Sequence, residues 1–96
     1  MVWEHAQLTI KAGQEAAFEA GAAEAKALFL RAKGCTGMQV QRSAENPNTY
    51  FLVVEWATIE DHMVTFRNSP DFQEWRRLVG SHFEAPPIVQ HTRKVV

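Results

Sequence analysis

The chain has 96 residues, with 10 Lys and Arg against 11 Asp and Glu, one Cys, and a formal net charge of -1 at pH 7. This length supports a single domain covering residues 1–96. The near-zero net charge argues against nucleic acid as a partner, because protein surfaces that bind nucleic acid need clustered Lys and Arg. A lone Cys forms no internal disulfide, and no group of Cys and His has the spacing of a metal site, so we expect no metal.

The apolar runs of the chain are short. The longest, from Tyr50 to Val54, falls far below the ~20 residues that a helix needs to cross a bilayer. The first residues carry an acid, Glu4, and no apolar core, so they do not resemble a secretory signal peptide. We therefore expect a cytoplasmic protein with no membrane partner.

The first half of the chain predicts three strands and one helix. Residues 2–10 alternate between apolar and mixed positions, which predicts a strand. Its apolar face is predicted to hold Val2, Ala6, Leu8 and Ile10. From Gln14 to Lys33, apolar residues recur every three or four positions, as in an amphipathic helix, and Gly34 suits the left-handed residue that follows one. Residues 36–43 and 49–56 predict two strands joined by a loop of turn-forming residues.

The second half predicts two helical segments and a last strand. Thr58 begins a helix-capping pattern, which predicts a short helix that continues to about Asn68. The positions predicted to face inward are Ile59, Met63 and Phe66. Ser69 and Pro70 then suit the N-cap and first residue of a further helix, and residues 88–95 predict the last strand.

The order of these elements is β-α-β-β-α-β, with the second helical region in two pieces. It predicts an α+β, ferredoxin-like fold whose antiparallel sheet has the strand order 4-1-3-2 and carries its helices on one face. Trp3, Phe51 and Val53 are predicted on the bare face, called the open face below. A domain this small buries only ~60–65% of its unfolded surface, and exposed apolar patches are unfavourable, so we expect the open face to pack against a second copy in a homodimer.

A set of residues in the second half resembles a known family. The set comprises Trp56, His62, Phe66-Arg67, Ser69-Pro70, Phe72 and Trp75-Arg76, followed by Pro86-Pro87 and His91. It is similar to the antibiotic biosynthesis monooxygenase (ABM) domain family, and the similarity covers almost the whole chain. The resemblance implies a dimeric α+β barrel. Members of the family include cofactor-free oxygenases of polycyclic quinols, heme-degrading enzymes and many proteins of no known activity.

The heme-degrading branch of the family can be compared position by position. That branch carries an Asn on the first strand and a heme-ligating His in the second helical region. Ala6 and Arg76 stand at the matching positions of this chain. We therefore expect neither heme binding nor heme-degrading activity.

Two residues are the leading candidates for catalysis. His62, if it faces the space between helices and sheet, offers a neutral imidazole that can take a proton from a phenolic substrate. The alternative is a half-exposed helix residue bonded to Glu60 or to solvent. Resemblance to the quinol-oxidising branch implies that Trp56 walls the pocket and donates its indole N–H to a substrate oxygen. A core aromatic that closes the end of the barrel is the alternative.

The pocket differs from that branch at one position. The branch carries an Asn four residues before this Trp, where the chain has Leu52. Tyr50, on the same face of the strand, is our third catalytic candidate because it could supply the missing polar contact. The residues expected to bind the substrate are Phe29, Leu52, Met63, Phe66, Phe72 and Trp75.

Three further polar residues are candidates for an interface or a site. His5 and Glu55 are predicted to face the same side of the sheet, either in contact or as polar groups of the dimer interface, and His91 is a candidate to join them. His5, His62 and His91 lack the short spacing that is typical of a metal site. The chain has no Gly-rich phosphate loop and no dinucleotide fingerprint, so we expect no cofactor.

Two functions stay open at this point. One is a small cofactor-independent monooxygenase that oxidises an electron-rich phenol or quinol with O2, with a small aromatic or quinone-like molecule as its ligand. The other is a non-catalytic dimer that binds a small ligand or serves a structural role. An open, partly polar pocket between sheet and helices favours the first, whereas an interior without a cavity of ~300 Å³ favours the second.

Overall fold

The computed structural model describes residues 1–96. The strands are β1 (Val2–Thr9), β2 (Cys35–Arg42), β3 (Thr49–Trp56) and β4 (Ile88–Thr92), and the helices are α1 (Glu15–Leu30) and α2 (Pro70–Val79). A π-helix (Asp61–Phe66) precedes α2, and a 3-10 turn (Gly80–His82) follows it. None of the helices is long and apolar enough to cross a membrane.

The four strands form one antiparallel sheet in the order β2-β3-β1-β4. This confirms the α+β, ferredoxin-like topology predicted from the sequence. The last strand ends at Thr92, three residues earlier than predicted, and α1 ends at Leu30 rather than Lys33. The middle strands β1 and β3 pair along their full lengths, from Val2 opposite Trp56 to Thr9 opposite Thr49.

The two faces of the sheet differ in burial. Even-numbered residues of β1 and β3 are buried together with side chains from both helices in one core. Trp3, Phe51 and Val53 point the other way and are only half-buried, which confirms their predicted place on the open face. The helices cover one side alone, so the structure leaves an apolar strip of the sheet uncovered in the single chain.

Gly34, between α1 and β2, contacts the segment that precedes the π-helix. Its φ of +80° lies in the left-handed region, as predicted, and its carbonyl accepts a hydrogen bond from the N–H of Ala57 at 2.7 Å. A Cβ at this position would overlap the carboxylate of Asp61. Only glycine therefore allows the chain to pass this close to the start of the π-helix.

The segment predicted as a short α-helix is a π-helix. As its capping pattern predicts, the N–H of Asp61 donates to Oγ1 of Thr58 at 3.0 Å. Farther along, the N–H of Arg67 donates to the carbonyl of His62, five residues back, at 3.1 Å. The wider turn changes which residues point inward. Asp61, His62 and Phe66 are buried.

Two inward positions predicted for this segment are therefore wrong. Ile59 and Met63 each remain 37% exposed. Ile59 precedes the π-helix, whereas Met63 lies within it, where the prediction assumed the narrower α-helical turn. Phe66 does face inward, at 3% exposure. Helix α2 begins as predicted, with Ser69 as N-cap accepting the N–H of Phe72 at 3.2 Å and Pro70 as the first helical residue.

Candidate active site

A cavity of about 560 Å³ lies between the sheet and α2, and we call it the inner cavity. Its walls come from the sheet (Glu4, Ala6, Leu8, Leu52, Val89), from α2 (Phe72, Trp75, Arg76), from the segment Phe83–Pro87, and from His62, Arg67 and Gly80. Ligand sites are commonly apolar cavities of ~300–1,000 Å³ with a few convergent polar groups. The inner cavity has both the size and the mixed lining of such a site.

Glu4 is the buried carboxyl of this cavity. It occupies an even position on β1, the face that packs against the helices, and is only 4% exposed. Its Oε1 accepts the indole N–H of Trp56 at 3.1 Å and lies 3.2 Å from Nε2 of His62. Burial raises the pKa of Glu4 to about 7, although the Trp56 hydrogen bond and the charge of Arg67 oppose the rise. A carboxyl that titrates near neutral pH can both accept and return a proton.

His62 lies between Glu4 and a second imidazole. It is 3% exposed, so the alternative of a half-exposed helix residue is wrong. Its ring stacks on that of Trp56, with centroids 5.2 Å apart and planes inclined by 13°. Its Nδ1 lies 2.8 Å from Nε2 of His91. Burial, then the nearby His91 and Arg67, lower the pKa of His62 to about 4, so the ring is neutral at physiological pH.

His91 reaches this pair from the edge strand. It lies directly opposite Glu4 in the pairing of β1 with β4 and is half-buried. Burial, followed by the charges of Arg67 and Arg93, lowers the pKa of His91 below its usual value. The register thus places His91 on the helix side of the sheet, where it contacts His62.

The predicted grouping of His91 with His5 and Glu55 is wrong, because His5 and Glu55 point to the open face. His5 bonds Oγ1 of Thr92 at 3.0 Å, and Glu55 accepts the hydroxyl of Thr36. The three histidines accordingly do not converge on one point. No group of three His, Cys, Asp or Glu side chains is placed to hold a metal ion.

Two of the three catalytic candidates lie together in the structure, and the third lies apart. Trp56 is fully buried and belongs to the core, and its indole N–H is engaged by Glu4. Tyr50 lines a different cavity of about 340 Å³ between α1 and β2, and its hydroxyl donates to Oε2 of Glu19 at 2.5 Å. Burial and the neighbouring Glu19 carboxylate raise the pKa of Tyr50 to about 12. His62 and Trp56 are therefore together, and Tyr50 is apart from them.

The six predicted substrate contacts occupy three layers. Leu52, Phe72 and Trp75 line the inner cavity. Phe66 and Phe29 lie behind that wall, where Phe66 packs on Phe72 at 5.8 Å between ring centroids and Phe29 packs on Trp75 at 5.0 Å. Met63 is on the outer side of the π-helix and does not reach the cavity.

Glu4 was missed by the sequence reasoning, although a signal for it exists. It lies between Val2 and Ala6 on the strand face that is predicted to be apolar, so a charged residue occupies a core position. A charge is rarely buried without a partner, and the partner here comes from a distant segment. By the same reasoning, any single acidic residue at an inward-facing position of a central strand is a candidate site residue.

Comparisons with known proteins agree with this architecture. The sequence model of the family described as antibiotic biosynthesis monooxygenase matches residues 1–78. YczJ of Bacillus subtilis strain 168, an uncharacterised protein, is 37% identical over 95 residues, which are 99% of this chain and 100% of that protein. A crystal structure of a candidate antibiotic biosynthesis monooxygenase from Bordetella bronchiseptica has a TM-score of 0.97 and 53% identity, covering 99% of this chain and 97% of that one.

A more distant neighbour has a described activity. SnoaB of Streptomyces nogalater, a cofactor-independent oxygenase whose structure is that of a single-site variant, has a TM-score of 0.83 and 18% identity. The alignment covers 99% of this chain and 93% of SnoaB. At this identity the two proteins share a fold, and SnoaB's chemistry is not carried over by the likeness alone.

Proposed function

Because this chain belongs to the antibiotic biosynthesis monooxygenase family, we propose that it is a cofactor-independent monooxygenase that oxidises an electron-rich phenol or quinol with O2. One observation carries the proposal. A buried carboxyl, Glu4, and a neutral imidazole, His62, meet at the wall of a cavity of about 560 Å³. Such a pair supplies the proton acceptor that the oxidation of a phenol requires.

The first step is removal of the phenolic proton. Glu4 in its ionised form accepts the proton, while Trp56 and His62 hold its Oε1 in place through contacts of 3.1 and 3.2 Å. Because the pKa of Glu4 is raised to about 7, the carboxylate is a stronger base than an exposed Glu and is still ionised in part at neutral pH. The apolar wall formed by Leu52, Phe72 and Trp75 positions the aromatic ring beside it.

The second step joins oxygen to the substrate. The phenolate passes one electron to O2, giving a radical pair that combines into a carbon-bound peroxide. Glu4 returns its proton to the peroxide, the O–O bond breaks, and water leaves as the ring C–H proton is lost. The substrate loses two hydrogens and gains one oxygen as a carbonyl, and the second oxygen atom leaves in water. An apolar cavity favours this sequence because it shields the radical pair from water.

A ligand-binding protein without catalysis is the competing function. The observation in its favour is Leu52, an apolar residue where the quinol-oxidising branch has an Asn. The presence of Glu4 and His62 in the wall of the inner cavity supports the enzyme instead. The size of the cavity argues only against a purely structural protein, for which a filled interior is expected.

We also propose that the protein works as a homodimer in the cytoplasm. The open face supports the dimer, because Trp3, Phe51 and Val53 form an apolar strip on the side of the sheet that carries no helix. Two copies that pack these faces together would bury it by a two-fold interface.

A ligand screen followed by O2 measurement tests the function. Purified protein is first screened by thermal shift against phenols, naphthohydroquinones, anthrones and small aldehydes, because a bound ligand raises the melting temperature by mass action. O2 uptake is then measured with each binder. Uptake that one quinol stimulates supports the enzyme; tight binding of quinols without uptake favours the ligand-binding protein.

A further inference from the structure

A row of three hydrogen-bonding side chains connects the inner cavity with the edge of the sheet. Glu4 and buried His62 both line the cavity, and half-buried His91 lies on the edge strand β4. The two links measure 3.2 Å, from Glu4 Oε1 to His62 Nε2, and 2.8 Å, from His62 Nδ1 to His91 Nε2. Both nitrogens of His62 are therefore used, one toward each neighbour.

We propose that Glu4, His62 and His91 form a proton relay that exchanges the proton of the cavity carboxyl with solvent while the cavity is occupied. The use of this relay in catalysis rests on the proposed function. The existence of the relay does not, because it follows from the contacts within the chain.

Two arrangements of the relay satisfy all its contacts and differ by one proton. When Glu4 is ionised, His91 Nε2–H donates to His62 Nδ1, and His62 Nε2–H donates to Glu4 Oε1. When Glu4 is protonated, its O–H donates to His62 Nε2, and His62 Nδ1–H donates to His91 Nε2, whose own proton is on Nδ1. In passing from the second arrangement to the first, Glu4 gives a proton to His62, His62 gives one to His91, and His91 releases its Nδ1 proton to water.

The surroundings of the relay lower the pKa of both histidines and so disfavour their protonated forms. The charged and titratable groups that face it from neighbouring elements are Arg67, Arg76, Glu84, Arg93 and Cys35. The positive charges of Arg67 and Arg93, together with burial, disfavour a protonated imidazole. A neutral imidazole can change tautomer by accepting a proton on one nitrogen as it gives one up from the other.

The relay gives Glu4 a route to solvent when a ligand fills the inner cavity. An aromatic ligand that fills the inner cavity displaces the water through which Glu4 would otherwise lose its proton. A protonated Glu4 cannot act as a base. The route through His62 and His91 lets the carboxyl ionise at the cavity wall without the ligand having to leave.

The decisive experiment follows histidine tautomers by NMR in the whole protein labelled with nitrogen-15 in its histidines. Long-range proton–nitrogen spectra are recorded from about pH 6 to pH 8, around the Glu4 pKa of about 7, without substrate. We expect His62 and His91 to change tautomer together, at one midpoint. In Glu4→Gln neither should change, because the titrating group is gone. His5→Gln, on the open face, is the matched control and should leave the joint change intact.

The outcomes separate the relay from the proposed function. His91 fixed in one tautomer while His62 changes, or both fixed in the unmodified protein, would overturn the relay. Because no substrate is present, a joint change in a protein that consumes no O2 would keep the relay and remove the monooxygenase. O2 uptake by a protein whose His62 and His91 tautomers stay fixed would keep the monooxygenase and remove the relay.

Discussion

Glu4 Oε1 lies 3.2 Å from Nε2 of His62, and neither side chain is more than 5% exposed. This contact joins the central strand β1 to the π-helix inside the domain. A buried acid–imidazole contact is poor support for stability alone, since two polar groups lose their hydration to form it. Perturbed titrations of this kind concentrate at functional sites, which agrees with the position of the pair at the wall of the inner cavity.

The pH dependence of stability should reveal both members of this pair. The pKa of Glu4 rises from 4.5 to about 7, so between these values the folded protein holds a proton that the unfolded chain has released. The Glu4 contribution to the free energy of unfolding therefore falls as pH rises through this window. The pKa of His62 falls from 6.5 to about 4, so its contribution rises with pH between those values.

These opposite contributions overlap from pH 4.5 to 6.5 and should largely cancel in the unmodified protein. Relative to it, Glu4→Gln should show a free energy of unfolding that rises with pH, and His62→Gln one that falls, each by at most ~1.4 kcal/mol per pH unit. Urea denaturation at a series of pH values measures this, with Glu45→Gln in an exposed loop as the control. If the free energy of unfolding varied with pH in the same way in the unmodified protein and all three variants, the pKa of neither Glu4 nor His62 would be shifted by folding.

Tyr50 and Trp56 should respond differently to removal of their polar atoms. Tyr50→Phe deletes a hydroxyl that bonds Glu19 in the cavity between α1 and β2, so O2 uptake should stay within about twofold. Trp56→Phe deletes the N–H that holds Glu4, so uptake should fall by about tenfold or more, and the pH optimum should move upward. Steady-state uptake against pH is the measurement. A large loss in Tyr50→Phe would show that Tyr50 acts on the substrate after all.

Filling the inner cavity should block ligand binding. Leu52→Trp places an indole among the lining residues, and we expect the affinity for the best quinol of the screen to fall by at least about tenfold, or ~1.4 kcal/mol. Val40→Phe is the matched control, because Val40 lines the other cavity. Calorimetric titration compares the two variants. Equal losses in both, or none in Leu52→Trp, would place the ligand elsewhere.

The homodimer depends on the open face. Phe51 lies between Gln7 and Gln41 on neighbouring strands, near the middle of the sheet. Phe51→Glu would bury an unpaired charge at a two-fold interface, so we expect the variant to sediment as a monomer and the unmodified protein as a dimer at micromolar concentration. Met63→Glu adds the same charge to an exposed site on the π-helix and should remain dimeric. A monomeric unmodified protein would remove the proposed interface.

Most of the fold could be predicted because it depends on periodicity. The alternation of β1 and the capping residues Ser69 and Pro70 are local signals, and the order of elements leaves few topologies. The π-helix could not be predicted in the same way. It is defined by a bond from the N–H of Arg67 to the carbonyl of His62, five residues back, whereas the apolar spacing was interpreted with the α-helical period.

The site was predicted only in part, because its key contacts depend on register and on partners far apart in sequence. His62 and Trp56 were named and are in contact with each other. Glu4 was not predicted as a site residue, although its position on the apolar face of β1 placed it in the core. His91 was assigned to the wrong face because periodicity alone does not say which residue of β1 it faces, and the pairing places it opposite Glu4.

Oxygen-isotope incorporation with a single variant tests the central claim most directly. The quinol that stimulates uptake is incubated with isotopically heavy O2 and either unmodified protein or Glu4→Gln, whose amide oxygen can still accept the Trp56 N–H. We predict one heavy oxygen atom per product molecule, formed ~10²–10⁴-fold more slowly by Glu4→Gln, while Glu45→Gln matches the unmodified protein. A product without heavy oxygen, or equal rates for Glu4→Gln and the unmodified protein, would contradict the account.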